Sequence, residues 1–114
     1  MATLGSSIPV VATDLHAPTA ATAAIVTLAA VAGKKHILSQ ITYSYSATPT
    51  GGNLKIEDDG ATIFSIDIPA AGEKQIFFRQ PMRQAVANKA LVVTLASGAG
   101  AVVGKVNVSH WTEE

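Results

Sequence analysis

Between Asn53 and Ile68 the chain alternates apolar and polar residues on both sides of one tight turn. Leu54 and Ile56 alternate with Lys55 and Glu57, and Phe64, Ile66 and Ile68 alternate with Ser65 and Asp67. A period of two gives each strand one wet face and one dry face. Asp59-Gly60 lies between them, a pair that tolerates the positive φ angles of a two-residue hairpin turn. A chain carrying such a hairpin must find another layer to cover its dry face. The class expected is all-β.

The remaining segments repeat the pattern. From Lys35 to Ser46, Ile37, Ser39, Ile41, Tyr43 and Tyr45 fall on one face of a long strand. Leu38, Gln40, Thr42 and Ser44 fall on the other. Residues 22–31 are ambiguous, because alanine favours helix while Ile25, Val26, Thr27 and Val31 favour strand. No acidic first turn precedes them and Gly33-Lys34-Lys35 reads as a turn, so a strand is expected. Residues 74–80 form a strand with Ile76 and Phe78 on one face and Phe77 on the other, ended by Pro81. Residues 81–89 read as a loop or a short helical turn. Ala90–Ala96 is apolar throughout and reads as a central strand, and residues 102–111 form the last. These make about seven strands at the spacing of sandwiches and barrels. The expected fold is a two-sheet antiparallel β-sandwich with jelly-roll-like connections, occupying residues 21–114 as one domain.

Residues 1–20 stand apart. Pro9 and Pro18 interrupt them, and Ala, Thr and Ser dominate. They read as an extended N-terminal arm, either frayed or docked on a neighbouring subunit. Ile8, Val10, Val11 and Leu15 are more apolar than a solvated tail needs and are the candidate contacts of that arm.

Composition excludes several chemistries. The 114 residues contain no cysteine, so disulfides, thiolate nucleophiles and cysteine-based zinc sites are out of reach. Only 14% of residues are charged and the formal net charge is zero, so no global field favours nucleic acid or an anionic membrane. Such a weakly charged surface suits a protein packed against others. No basic-then-apolar leader follows Met1, so no secretory signal is expected. The apolar run 20–32 is shorter than the ~20 residues a membrane-spanning helix requires.

No motif announces a reaction. His16, His36 and His110 lack HxH or HExxH spacing and read as surface histidines at loops or strand ends. Glu57, Asp58 and Asp59 run into Gly60 without the alternation of a calcium loop, and so serve a turn. Gly98-Ala99-Gly100 precedes a strand where a dinucleotide site needs a helix. Arg79 and Arg83 flank Gln80-Pro81-Met82 and are best placed for loop charges or intersubunit ion pairs. Phe77 and Phe78 are assigned to packing. Trp111 either caps one end of the core or anchors a contact on a partner. No cofactor or metal is expected, and the chain is not expected to be an enzyme.

Three stretches carry a resemblance. They are Lys35–Ile41, the step Thr50–Ile56 into Asp59-Gly60, and Asn88–Gly98 leading to Gly104–Val108. In these, the region from Ala24 to Trp111 resembles small bacteriophage virion proteins of β-sandwich type, especially capsid decoration or cement proteins and related head or tail accessory proteins. The resemblance implies a non-enzymatic homo-oligomer, often a trimer, seated on a major capsid protein or another virion protein. It implies localisation to the virion after synthesis in the host cytoplasm. A second class is a ligand-binding jelly roll, with Tyr43, Tyr45 and Trp111 as sugar-stacking candidates. A third, a cupin-like enzyme, would need clustered histidine and glutamate ligands.

Overall fold

The hairpin forms where the alternation places it. The structure, a computed structural model, describes residues 12–114. Strands β4 (Asn53–Asp58) and β5 (Ala61–Asp67) pair antiparallel around Asp59 and Gly60. Their φ angles of 52° and 86° are the double positive pair of a type I′ turn.

Six further strands are present among the described residues: β1 (Ala12–His16), β2 (Ala24–Leu28), β3 (Lys35–Tyr45), β6 (Gly72–Arg83), β7 (Leu91–Leu95) and β8 (Gly104–Glu113). They form two four-stranded antiparallel sheets, ordered β1-β8-β3-β6 and β2-β7-β4-β5. The first strand pairs with the last, the second with the seventh, the third with the sixth, and the fourth with the fifth. The chain is therefore one long hairpin rolled over itself, which is the jelly-roll arrangement.

The expectation of a sandwich holds, with eight strands where seven were expected. The additional strand is β1, which lies within the stretch read as an arm. It pairs with β8 from Ala12 opposite His110 to His16 opposite Val106. Ile8, Val10 and Val11 lie outside the described residues.

The core is made by the two inner faces. Leu54, Ile56, Val93 and Leu95 from one sheet meet Ile41, Tyr45, Val106 and Val108 from the other, each 2% exposed or less. The Tyr45 hydroxyl donates to the Ala96 carbonyl at 2.5 Å, tying β3 of one sheet to the end of β7 in the other. Burial also pushes the ionisation of Tyr43 and Tyr45 above the ordinary tyrosine range.

Two expectations of strand geometry are corrected. Ile37 was placed on the face of Ile41 and Tyr43. A bulge at Ser39 intervenes, because Leu38 pairs with His110 and Gln40 with Ser109. One surplus residue reverses the phase, so Leu38 joins the core cluster and Ile37 turns to the outer face beside Arg83 and Trp111. Pro81 was expected to end its strand, and residues 81–89 to be loop or helical turn. Instead β6 continues to Arg83, with Phe78–Pro81 bulging opposite Ser39. A proline without an N–H is tolerated there because β6 is an edge strand and the ladder is already open at the bulge.

Candidate interaction surface

The two sheets meet unevenly at their flanks. On one side β1 and β2 are linked, with the Ile25 N–H donating to His16 Nδ1 at 2.8 Å. On the other side β5 and β6 face each other through Phe64 and Phe78, whose rings sit edge to face at 6.2 Å. That flank is poorly closed. Phe64, Ile66, Ile76, Phe78 and Met82 touch the core yet are only partly buried. Beside them Ile63 is 47% exposed and Phe77 is 67% exposed. The sequence assigned Phe77 to packing. The structure corrects this, because Phe77 pairs with Gln40 on the outer face of an edge strand, where no described residue covers it. Ile63 is exposed for a related reason: it is the extra residue where Ile56 pairs with Phe64 and Glu57 with Thr62.

Charges on both strands border this flank: Glu73, Lys74 and Arg79 are exposed on β6, and Asp67 is exposed at the end of β5. The apolar flank thus carries both signs of charge along its rim, as protein–protein contact surfaces do.

Among the described residues, the contact residues expected from sequence do not form one cluster. Arg83 and Trp111 come together on either side of Ile37, which is 2% exposed. Arg83 pairs with the Glu113 carboxylate, and Trp111 Nε1 donates to the other oxygen of that carboxylate at 3.0 Å. Trp111 therefore covers an apolar side chain on the outer face and does not cap the core. Leu15 sits on the far strand of the same sheet, 59% exposed and opposite Asn107. Arg79 lies in the bulged part of β6, away from Leu15.

The sugar-stacking reading loses two of its three aromatics. Tyr43 and Tyr45 are 6% and 2% exposed and lie in the core. Two shallow hollows open at the end of the sandwich where β3 finishes. One, of about 480 Å³, is lined by Ser44, Tyr45, Gly72, Glu73, Val103 and Lys105. The other, of about 380 Å³, lies between Pro49, Asn53, Asp67 and Pro69.

The histidines also depart from expectation. His36 was read as a surface residue and is 4% exposed. Its Nε2 lies 2.7 Å from the Ala29 carbonyl, which makes Nε2 the protonated nitrogen and leaves Nδ1 buried without a partner among the described residues. His110 Nε2 faces Asp14 at 3.0 Å across β1 and β8. No group of three or more His, Cys, Asp or Glu converges to hold a metal among the described residues.

Sequence reasoning missed Gln84. It is 3% exposed and links three segments. Its Oε1 accepts from the His36 N–H at 2.7 Å, and its Nε2 donates to Asp58 Oδ1 at 2.9 Å and to the Lys89 carbonyl at 3.0 Å. Its backbone N–H donates to the His36 carbonyl. A glutamine just past a strand end gives no sequence signal of this, since its partners lie up to 48 residues away. The network closes the end of the sandwich that carries the Asp59-Gly60 turn, and so fixes how β5 and β6 reach their flank.

No protein-family model matches the chain, and no curated protein matches it in sequence. Among solved structures it is similar to the insecticidal delta-endotoxin Cry8Ea1 from Bacillus thuringiensis, with 14% identity and a TM-score of 0.50 over 89% of this chain. It is also similar to dimeric latent PorU from Porphyromonas gingivalis, with 13% identity and a TM-score of 0.45 over 88% of this chain. A third structure is the virus-like particle of extra small virus from the giant freshwater prawn Macrobrachium rosenbergii. There the identity is 10% and the TM-score 0.39, over 97% of this chain and 82% of that one. The chain spans 20% of the toxin and 12% of PorU. At these identities the likeness is one of sandwich architecture alone.

Proposed function

We propose that this chain is a non-enzymatic structural protein of a virus particle, a homo-oligomer that binds a capsid lattice in the manner of a decoration or cement protein. The observation that carries this reading is the open β5–β6 flank. Phe64, Ile66, Ile76 and Phe78 leave part of their surface to solvent, and Phe77 and Ile63 project beyond them. A partly open apolar flank edged by charges on a small domain supports a contact surface for protein. The sequence resemblance to phage virion β-sandwiches and the sparse surface charge point the same way. Partners would be a major capsid protein or another virion protein, and neither nucleic acid nor membrane is required.

Particles banded by density from the producing culture provide the test. Mass spectrometry should find this chain in amounts stoichiometric with the shell protein. Purified chain should also rebind particles stripped of it, and Phe77→Ser should weaken that rebinding about tenfold or more, as loss of an aromatic contact anchor does. Absence from the particles, together with no rebinding, would refute the reading. Since β1 belongs to the sandwich, the contribution of the arm is tested by deleting residues 1–11 only.

A further inference from the structure

β6 is an edge strand, and its pairing with β3 breaks in one place. Phe77 pairs with Gln40 and Met82 with Leu38, so Phe78–Pro81 stand opposite Ser39 alone. Their backbone groups have no ladder partner in β3, and the far side of β6 is unpaired among the described residues. Arg79, Gln80 and Pro81 are exposed there. A protease takes its substrate as an extended strand, through the backbone N–H and C=O groups. A segment inside a ladder cannot offer those groups until it unpairs. Residues 78–81 already offer them.

We infer that Arg79–Gln80 is a proteolytic processing site, cut by proteases whose acidic specificity pocket accepts an arginine side chain. The site does not depend on the assembly reading above. In the cut, water adds to the Arg79 carbonyl carbon and the bond to the Gln80 nitrogen breaks. Arg79 is left with a carboxylate and Gln80 with an ammonium group, and nothing but water is consumed. Gln80, not Pro81, follows Arg79, so the scissile amide keeps its N–H.

The chain has eight lysines and arginines. Lys35, Lys55, Lys74, Arg83 and Lys105 sit at paired positions within strands. The Lys34 carbonyl accepts from the Asn88 N–H at 2.9 Å. The Lys89 carbonyl accepts from Gln84 Nε2 at 3.0 Å, and its ammonium lies 3.5 Å from Asp59. Only Arg79 combines exposure, backbone outside a ladder and no ion pair among the described residues.

The topology holds a cut chain together. Cleavage gives pieces 1–79 and 80–114, and the second carries β7 and β8. Each of those strands lies between two strands of the first piece: β7 between β2 and β4, and β8 between β1 and β3. Val93, Leu95, Val106 and Val108 of the second piece are fully buried in the shared core. The nick therefore leaves a two-chain sandwich, with a new carboxylate and a new ammonium group on the flank beside Phe78.

Brief digestion with trypsin, read by mass spectrometry, tests the site. The first products should be 1–79 and 80–114. Arg79→Lys should still be cut there. Arg79→Gln should slow the first cut about tenfold or more, because every other site must first leave its pairing. The nicked wild-type protein should elute from a sizing column with the intact one and come apart only in urea. A first cut at another lysine or arginine, an Arg79→Gln chain digested as fast as wild type, or pieces that part on cutting would each overturn the inference.

Discussion

Replacing Gln84 by alanine removes three side-chain hydrogen bonds at once and leaves no room for simple compensation. The His36 N–H, received by Gln84 at 2.7 Å, becomes a donor on a residue only 4% exposed. A buried donor left without a partner costs about 1–3 kcal/mol. The bond to Asp58 is made to a carboxylate and is worth about 1.5–3 kcal/mol, toward the low end here because Asp58 is half-buried and water can reach it. Together the loss is about 3–4 kcal/mol, a large part of the roughly 5–15 kcal/mol that holds a domain folded. Urea denaturation should show the midpoint fall by about 1.5–2 M, for a slope of about 2 kcal/mol/M. The melting temperature should drop by roughly 15 °C. Gln84→Glu sharpens the test. It sets a second carboxyl beside Asp58 and two carbonyl oxygens, which raises the pKa of the introduced group above its unfolded value of about 4.3. A raised folded pKa contributes stability below the unfolded value and loses it as pH climbs through the folded one. Relative to wild type, Gln84→Glu should therefore be closest to normal near pH 4 and weakest at neutral pH. A loss below about 1 kcal/mol for Gln84→Ala, well under the hydrogen-bond sum, would refute the reasoning. So would a Gln84→Glu deficit that ignores pH.

Further expectations concern the turns, the tyrosines and the flank. Gly98→Ala should cost about 1–3 kcal/mol by the same denaturation assay, because a Cβ there would meet Val102 Cγ1 at 2.6 Å and Pro49 Cβ at 3.1 Å. Tyr45→Phe should cost about 1 kcal/mol by losing its bond to the Ala96 carbonyl. Phenolate absorbance should titrate with midpoints above the ordinary value of about 10 for both tyrosines. Burial is the main cause in each, so this contribution to stability is complete below about pH 10 and is lost as pH rises through the raised folded values. Phe77→Ser should change the stability of the isolated domain by no more than about 0.5 kcal/mol, since the ring is 67% exposed, while weakening assembly by light scattering.

Much of the architecture could be read before the structure. Alternation located the hairpin, and the Asp59-Gly60 pair located its turn, because both signals are local. β-branched residues outweighed alanine at Ala24–Leu28, where alternate residues are buried against the second sheet. The face assignment failed at Ile37-Leu38, where two large apolar residues stand side by side in an otherwise alternating strand and adjoin a bulge, as Ile63-Phe64 and Phe77-Phe78 also do. Such a pair signals a phase slip, but not which member turns outward, because that depends on the register with a distant strand. β1 was hidden because its inward positions are Ala12, Asp14 and His16, which give no apolar alternation. Of the expected contact residues that are described, only Arg83 and Trp111 meet, and the exposed β6 flank emerged from topology and not from residue type.

The rolled topology has a consequence for how the protein is born. Among the six strand pairings of the described residues, only β4 with β5 joins neighbours in the chain. β8 lies in the middle of its sheet, between β1 and β3. While a ribosome still holds β8, those two strands have nothing to bridge them, and half of the sandwich cannot close. That sheet must therefore wait until β8 has left the ribosome, and it then assembles slowly through pairings between distant parts of the chain. Until it finishes, the nascent chain offers bare strand edges to chaperones, proteases and its own siblings.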